Sequence, residues 1–175
     1  QEQDISIKNL SFEYVENEAV LENIDLHIPK GSSLAIVGPT GSGKSTMIRL
    51  LTRQYELNSG DIFFGGVNIK DLSRDSLKDN IVLVPQDPAI FHKSVRFNIT
   101  LDRPDISEEK VMDICQKIRA DEFIRRMPQG YDSVLEESGS NLSTGQRQLI
   151  ALARALASPA EILIFDEATA NIDTG

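Results

Sequence analysis

The chain has a single cysteine, Cys115, so no internal disulfide can form, and that usage fits a reducing compartment. No run rich in lysine and arginine occurs. With 18 basic against 27 acidic residues, the formal net charge of -9 argues against non-specific nucleic-acid binding. No apolar stretch approaches the length of a membrane span, and no signal-peptide pattern opens the chain. Internal repeats, low-complexity tracts and linkers are also missing. The sequence opens on Gln1 without a methionine and stops at Gly175 directly after a motif, which reads as two cuts inside a longer polypeptide.

What is present suits one globular domain. At 175 residues, 40% hydrophobic and 26% charged, the chain can bury a sizeable core. Ile5 to Tyr14 alternates as a strand, and Leu21 to Ile28 forms a second with Leu, Ile, Leu and Ile on one face. Ser33-Leu34-Ala35-Ile36-Val37 is a short apolar run that reads as a buried strand. Asp61 to Phe64 and Val67 to Ile69 read as a hairpin around Gly65-Gly66. Ile81 to Val84 and Ile162 to Phe165 are further apolar strands, the latter of the kind buried in a parallel sheet. From about Val95 to Met127 the pattern turns helical, with Cys115 in the apolar stripe Val111, Ile114, Cys115, Ile118, where a buried structural thiol is expected. A helix opening at Ser143 carries Leu149, Leu152, Ala153 and Leu156 on its apolar face and stops at Pro159. Strands alternating with helices predict a layered α/β domain.

Between the run ending at Val37 and a helix with Met47, Ile48 and Leu51 on its buried face lies Gly38-Pro39-Thr40-Gly41-Ser42-Gly43-Lys44-Ser45. This fits G-x-x-x-x-G-K-[ST], the loop that cradles phosphates. Its glycines let successive N–H groups turn toward an anion, and the following helix adds its unpaired N–H groups and positive dipole end. Lys44 would reach the β- and γ-phosphates, and the Ser45 hydroxyl would complete the shell of a magnesium ion. The expected ligand is a nucleoside triphosphate.

Asp166-Glu167 ends the last apolar strand, at the carboxyl edge where open α/β sheets hold ligands. Asp166 is expected to hold magnesium through water, and Glu167 to orient or deprotonate the attacking water. Ser143-Thr144-Gly145-Gln146 fits a capping box. It either just starts a helix or, with Ser143 and the free N–H groups near Gly145, forms a second anion site. Local chemistry leaves both readings open.

In this order the motifs resemble the nucleotide-binding domain of an ATP-binding cassette (ABC) transporter, over essentially the whole chain. That family's signature, usually Leu-Ser-Gly-Gly-Gln, stands here as Leu142-Ser143-Thr144-Gly145-Gln146, followed by Arg147-Gln148 and then by the Asp166-Glu167 strand. The resemblance implies a P-loop NTPase core with an N-terminal antiparallel β subdomain and an inserted α-helical subdomain. The β subdomain and core would occupy about 1–86 and 159–175, and the helical subdomain about 87–158. It implies ATP and magnesium as ligands, Glu167, Lys44 and Gln86 as the catalytic set, and Ser45, Gln86 and Asp166 around the metal.

Other positions carry over one by one. Tyr14 matches the aromatic that stacks on adenine, and Thr46 a hydroxyl near the α-phosphate. Gly38 to Ser45 enclose the phosphates, while Ser143, Gly145 and Gln146 would meet a partner's nucleotide. Gln86 matches the glutamine that touches magnesium and attacking water and senses the membrane domain. Glu137 resembles an acidic residue that contacts the membrane domain, and Asp173 the aspartate that communicates across the dimer. The implied partners are a second nucleotide-binding domain and a transmembrane domain on the same chain, with no nucleic acid. The implied location is the cytoplasmic face of the cell membrane.

The resemblance is closest to exporter-type half-transporters of the multidrug or lipid kind, through Gly130-Tyr131-Asp132 and Ala168-Thr169-Ala170-Asn171-Ile172-Asp173. Two features depart from the family. Thr144 replaces the first signature glycine, and the family's switch histidine would lie beyond the acidic strand, past the last residue of this sequence, Gly175; the two histidines present, His27 and His92, fit structural or surface roles. Two other readings stand beside the exporter: a regulatory module that binds nucleotide but hydrolyses it poorly, and a soluble cassette protein acting on DNA or ribosomes.

Overall fold

The computed structural model describes residues 4–166, and these divide into two compact units, one within 1–78 and one within 79–175. Glu167 and Asp173 therefore lie outside the described residues.

The first unit holds a four-stranded antiparallel sheet in the order β2-β1-β3-β4, from β1 (Ile5–Glu13), β2 (Ala19–Ile28), β3 (Ser59–Phe64) and β4 (Val67–Asn68). Along β1 the buried residues are Ile7, Leu10 and Phe12, so the alternation changes parity midway. Asn9 sits at that change with φ of 47°, and its N–H is taken up by Asp25 Oδ1 at 2.9 Å. The pairing with β3 shifts register between Lys8 and Ser11, where Gly60 of β3 adopts φ of 78°. A Cβ on Gly60 would lie 2.6 Å from the Lys8 carbonyl oxygen, so only glycine lets the two backbones close over this bulge. Without the parity change, half of the apolar side chains on β1 would point to solvent. The expected hairpin is present: Gly65 and Gly66 both take positive φ, 56° and 81°, as a type I′ turn requires. Helix α1 (Lys44–Leu51) completes this unit and buries Thr46, Met47, Leu50 and Leu51, with Ile48 half-buried.

The run Ser33 to Val37 is not a strand in this structure, and every residue from 31 to 40 is exposed, Val37 to 89%. The correction has a simple cause. An all-apolar run marks a strand only if neighbours cover both faces and take its hydrogen bonds, and among the described residues none pairs with it.

Helix α2 (Arg74–Asn80) leads to the second unit, where β5 (Ile81–Val84) and β6 (Ile162–Phe165) pair in parallel, Ile81 opposite Ile162 and Val84 opposite Phe165. Helices α3 (Val95–Thr100), α4 (Glu108–Lys117), α5 (Asp121–Ile124) and α6 (Thr144–Ala157) lie between them in the chain. Ser94 and Ser107 cap α3 and α4 by accepting from the N–H groups of Phe97 and Lys110.

Helix α6 is covered on two sides. Ala151 and Ala155 pack with Val84, Val82 and Leu163, while Ile150, Ala153 and Ala157 join Val95, Ile99, Val111, Ile114, Cys115 and Ile124 in the helical core. The sequence put Leu149, Leu152 and Leu156 on the buried face. Leu149 and Leu152 are only half-buried and Leu156 is exposed. Close approach on both sides selects alanine for the tightest contacts and pushes the larger leucines to the margins. Cys115 is fully buried in this core, as expected of a structural thiol, and burial pushes its pKa up.

Candidate functional site

The phosphate loop leads directly into α1. Gly43 is the N-cap of this helix, with φ of 89° and ψ of 2°. A Cβ there would meet Leu21 Cδ2 at 2.8 Å and the Val20 carbonyl oxygen at 3.1 Å, so both conformation and space require glycine. Upstream, the Ser42 N–H donates to the Pro39 carbonyl at 3.2 Å. Lys44 folds back over the loop: its Nζ donates to the carbonyls of Gly38 at 2.6 Å and Pro39 at 2.9 Å, with Ser42 Oγ at 3.5 Å. The ammonium is thus bonded to the loop's own carbonyls, which an incoming anion would replace as its partner. Thr40, Gly41, Ser42 and Ser45 are exposed.

Tyr14 and Thr46 come together beside this loop. The Tyr14 hydroxyl lies 3.0 Å from Thr46 Oγ1 and accepts from Arg49 Nη1 at 3.4 Å. The Thr46 hydrogen bond is the main cause of a lowered Tyr14 pKa. The Tyr14 ring stands edge-on to Phe12 and Tyr55, with centroids 4.9 and 5.3 Å away, and remains 45% exposed. An exposed, edge-braced ring has a face available for stacking. Thr46 is buried, and its hydroxyl is engaged by Tyr14.

The remaining described site residues lie in the second unit. Asp166 follows β6 directly, and its N–H donates to the Val84 carbonyl at 3.1 Å. Because Val84 and Phe165 are paired in parallel, Gln86 and Asp166 leave the sheet at the same carboxyl edge, Gln86 exposed and Asp166 half-buried. A serine hydroxyl, an amide oxygen and a carboxylate are hard oxygen donors, so Ser45, Gln86 and Asp166 fit magnesium by their chemistry.

The signature begins α6. Ser143 Oγ accepts from the Gln146 N–H at 3.2 Å, and Gln146 Oε1 accepts from the Ser143 N–H at 2.9 Å, a reciprocal capping box. Arg147 braces the turn by donating to the Leu142 carbonyl at 3.0 Å and to Thr144 Oγ1 at 3.2 Å. The Thr144 hydroxyl is therefore held back toward its own helix. An added Cβ on Gly145 would find only Ser143 Oγ, 4.0 Å away, so nothing in the described chain demands a glycine there.

Glu137 lies exposed in a 3-10 turn (Glu137–Gly139) ahead of the signature. His27 is engaged on the sheet surface, with Ser6 Oγ 3.1 Å from Nδ1 and Asp4 Oδ2 3.4 Å from Nε2, and His92 is exposed. Both roles agree with expectation. The buried Asn98 and its neighbour Arg154 were missed. A polar side chain inside the apolar stripe Val95, Asn98, Ile99 was the available signal.

A family model described as "ABC transporter" matches residues 21–170, from β2 through the phosphate loop and signature to beyond β6. The multidrug resistance-like ATP-binding protein MdlB of Buchnera aphidicola is 46% identical over 98% of this chain and 30% of its own length. The ABC transporter ATP-binding protein YknV of Bacillus subtilis is 47% identical over 98% of this chain and 28% of its own. The human mitochondrial iron-sulfur clusters transporter ABCB7 is 39% identical over 97% of this chain and 23% of its own. A bacterial Atm1-family ABC exporter solved with ATP bound superposes with a TM-score of 0.90 and 37% identity, over 99% of this chain and 30% of that one. The chain spans under a third of these relatives, and no helix among the described residues is long and apolar enough to cross a membrane. The family model spans most of the chain, from β2 to beyond β6, and a solved exporter of the family shares the fold at 37% identity, and so the chain belongs to the ABC transporter family.

Proposed function

We propose that residues 1–175 form one nucleotide-binding domain that binds ATP with magnesium and hydrolyses it to power export by a membrane transporter, working as one of two cassettes on the cytoplasmic face. The observation that carries this reading is the presence, on one chain, of two complementary half-sites. One is a phosphate loop whose Lys44 ammonium is held on the loop's own Gly38 and Pro39 carbonyls. The other is a capped, exposed helix N-terminus with open space at Gly145. A head-to-tail pair of such chains would join each loop to the other's signature.

In this reading Gly38 to Ser45 wrap the phosphates with backbone N–H groups. Lys44 exchanges the Gly38 and Pro39 carbonyls for the β- and γ-phosphate oxygens, and Tyr14 stacks on the adenine. The partner cassette's signature would offer its serine hydroxyl and free N–H groups to the γ-phosphate, where fixed dipoles stabilise developing charge. Glu167 accepts the proton of the attacking water, which Gln86 helps to orient. Ser45, Gln86 and Asp166 would hold magnesium, whose chemistry there would be neutralisation of phosphate charge. Asp173 would report the state of one site to the other across the pair.

Replacing Glu167 by glutamine in the full-length polypeptide tests this. The expected outcome is ATP binding at the unmutated affinity, stabilised pairing of cassettes and no steady-state turnover. Turnover at the unmutated rate refutes the assignment of Glu167, and an unmutated protein that binds ATP without hydrolysing it refutes the ATPase reading.

A further inference from the structure

Arg154 lies in the last turn of α6, ten residues after the helix begins at Thr144, or about 15 Å along the same rod. It spans two other segments of the chain. Its Nε donates to the Asn98 carbonyl at 2.7 Å, and its Nη2 to the Ala89 carbonyl at 2.9 Å. The Asn98 carbonyl belongs to the last turn of α3, where carbonyls lack partners within the helix, so the guanidinium caps α3 with the favourable sign of charge. Ala89 lies three residues past Gln86, in the loop that continues from the glutamine. The guanidinium also lies 5.7 Å from the centroid of Phe91 in that loop.

Asn98 completes the fastening from below. Its side chain is fully buried, and Oδ1 accepts from the Phe91 N–H at 2.8 Å. Its Nδ2 donates to the carbonyls of Phe91 at 2.9 Å, Ser94 at 3.0 Å and Lys93 at 3.3 Å. One amide thus holds both backbone groups of Phe91, fixing a loop that has no regular structure of its own. Near the other end of α6, Gly139 lies close against both Ile90 and Arg147, and Arg147 braces Thr144 of the signature. The loop after Gln86 is therefore tied near each end of the helix that carries the signature.

We propose that Arg154 is a positioning residue for ATP turnover, its forked guanidinium locking the loop that carries Gln86 to the signature helix so that Gln86 and Ser143 keep one fixed relation. The proposal rests on the ATPase reading above. A lysine ammonium is a single point on a flexible stem and cannot reproduce the two-pronged hold on Asn98 and Ala89. In the reading above the phosphate loop and Tyr14 make most of the contacts to bound ATP, while Gln86 and Ser143 act on the γ-phosphate and the attacking water, so loss of this lock lowers kcat more than it raises KM.

The test is steady-state ATP hydrolysis by the full-length protein and its Arg154→Lys and Arg154→Ala variants, normalised to nucleotide-binding sites. The expected result is a kcat lowered at least about threefold by Arg154→Lys and at least about tenfold by Arg154→Ala, with KM for ATP changed by less than about twofold. If Arg154→Ala does not fold, Arg154→Lys alone decides. An unmutated kcat in Arg154→Lys overturns the proposal, as does a loss of kcat matched by an equal rise in KM. Absence of turnover in the unmutated protein overturns the ATPase reading and this proposal with it.

Discussion

Replacing Ser143 separates the two roles that its position allows. Its hydroxyl caps α6 by accepting from the Gln146 N–H at 3.2 Å, and it stands exposed at the helix N-terminus, where a partner's γ-phosphate would dock. Ser143→Ala removes one half of the capping box and leaves the other, from the Ser143 N–H to Gln146 Oε1, intact. The loss of an N-cap hydroxyl costs about 1 kcal/mol, which in a chain of this size lowers Tm by roughly 2–4 °C. Against a typical stability of about 5–15 kcal/mol, that change leaves the folded fraction near unity. A hydrogen bond to a charged phosphate is worth about 1.5–3 kcal/mol, so its loss in the transition state lowers turnover by about 10- to 150-fold. Thermal unfolding and ATP hydrolysis of the full-length protein, measured together, separate these scales. Ser143→Asp makes the contrast sharper. A carboxylate caps as well as a hydroxyl and suits the positive helix end, so Tm holds or rises, yet it repels phosphate and turnover falls below that of Ser143→Ala. Unmutated turnover in Ser143→Asp would show that Ser143 is a helix cap and nothing more.

Other expectations follow from the same geometry. Gly145→Ala meets no heavy atom closer than 4.0 Å; it should leave Tm unchanged or raise it slightly, since alanine favours the helix by up to about 1 kcal/mol. Turnover should still fall as the new methyl group crowds a partner's phosphate, and full turnover with a raised Tm would argue against a partner at this position. Cys115, fully buried and with its pKa raised by burial, should resist thiol reagents in the native protein at pH 8 and react fully in denaturant. Because the folded state raises this pKa, its contribution to stability is whole below the ordinary thiol range. That contribution is lost as pH climbs through and above about 8.5, so Tm should decline on the alkaline side. Rapid native labelling at pH 8 would contradict the burial.

Much of this protein could be read without coordinates, because the relevant signals are local. The phosphate loop needs glycines at fixed offsets, a capping box needs serine three residues before glutamine, and Gly65-Gly66 can close a hairpin wherever it occurs. These features depend on neighbours along the chain, so spacing alone specifies them. Tertiary structure decided whatever depends on partners distant in sequence. Ser33 to Val37 has the composition of a strand, but a strand exists only where another backbone takes its hydrogen bonds. Helix α6 buries alanines and leaves Leu156 exposed because it is covered on two sides, and a single-face periodicity does not reveal that. The parity change at Asn9 depends on Gly60, on another strand. The two carbonyls under the Arg154 guanidinium, those of Ala89 and Asn98, are far from it in the chain, so no spacing around Arg154 reveals them. Sequence thus determined the chemistry each segment can perform, and the fold decided which segments are held together to perform it, because backbone pairing and two-sided packing are set by neighbours that spacing along one chain does not encode.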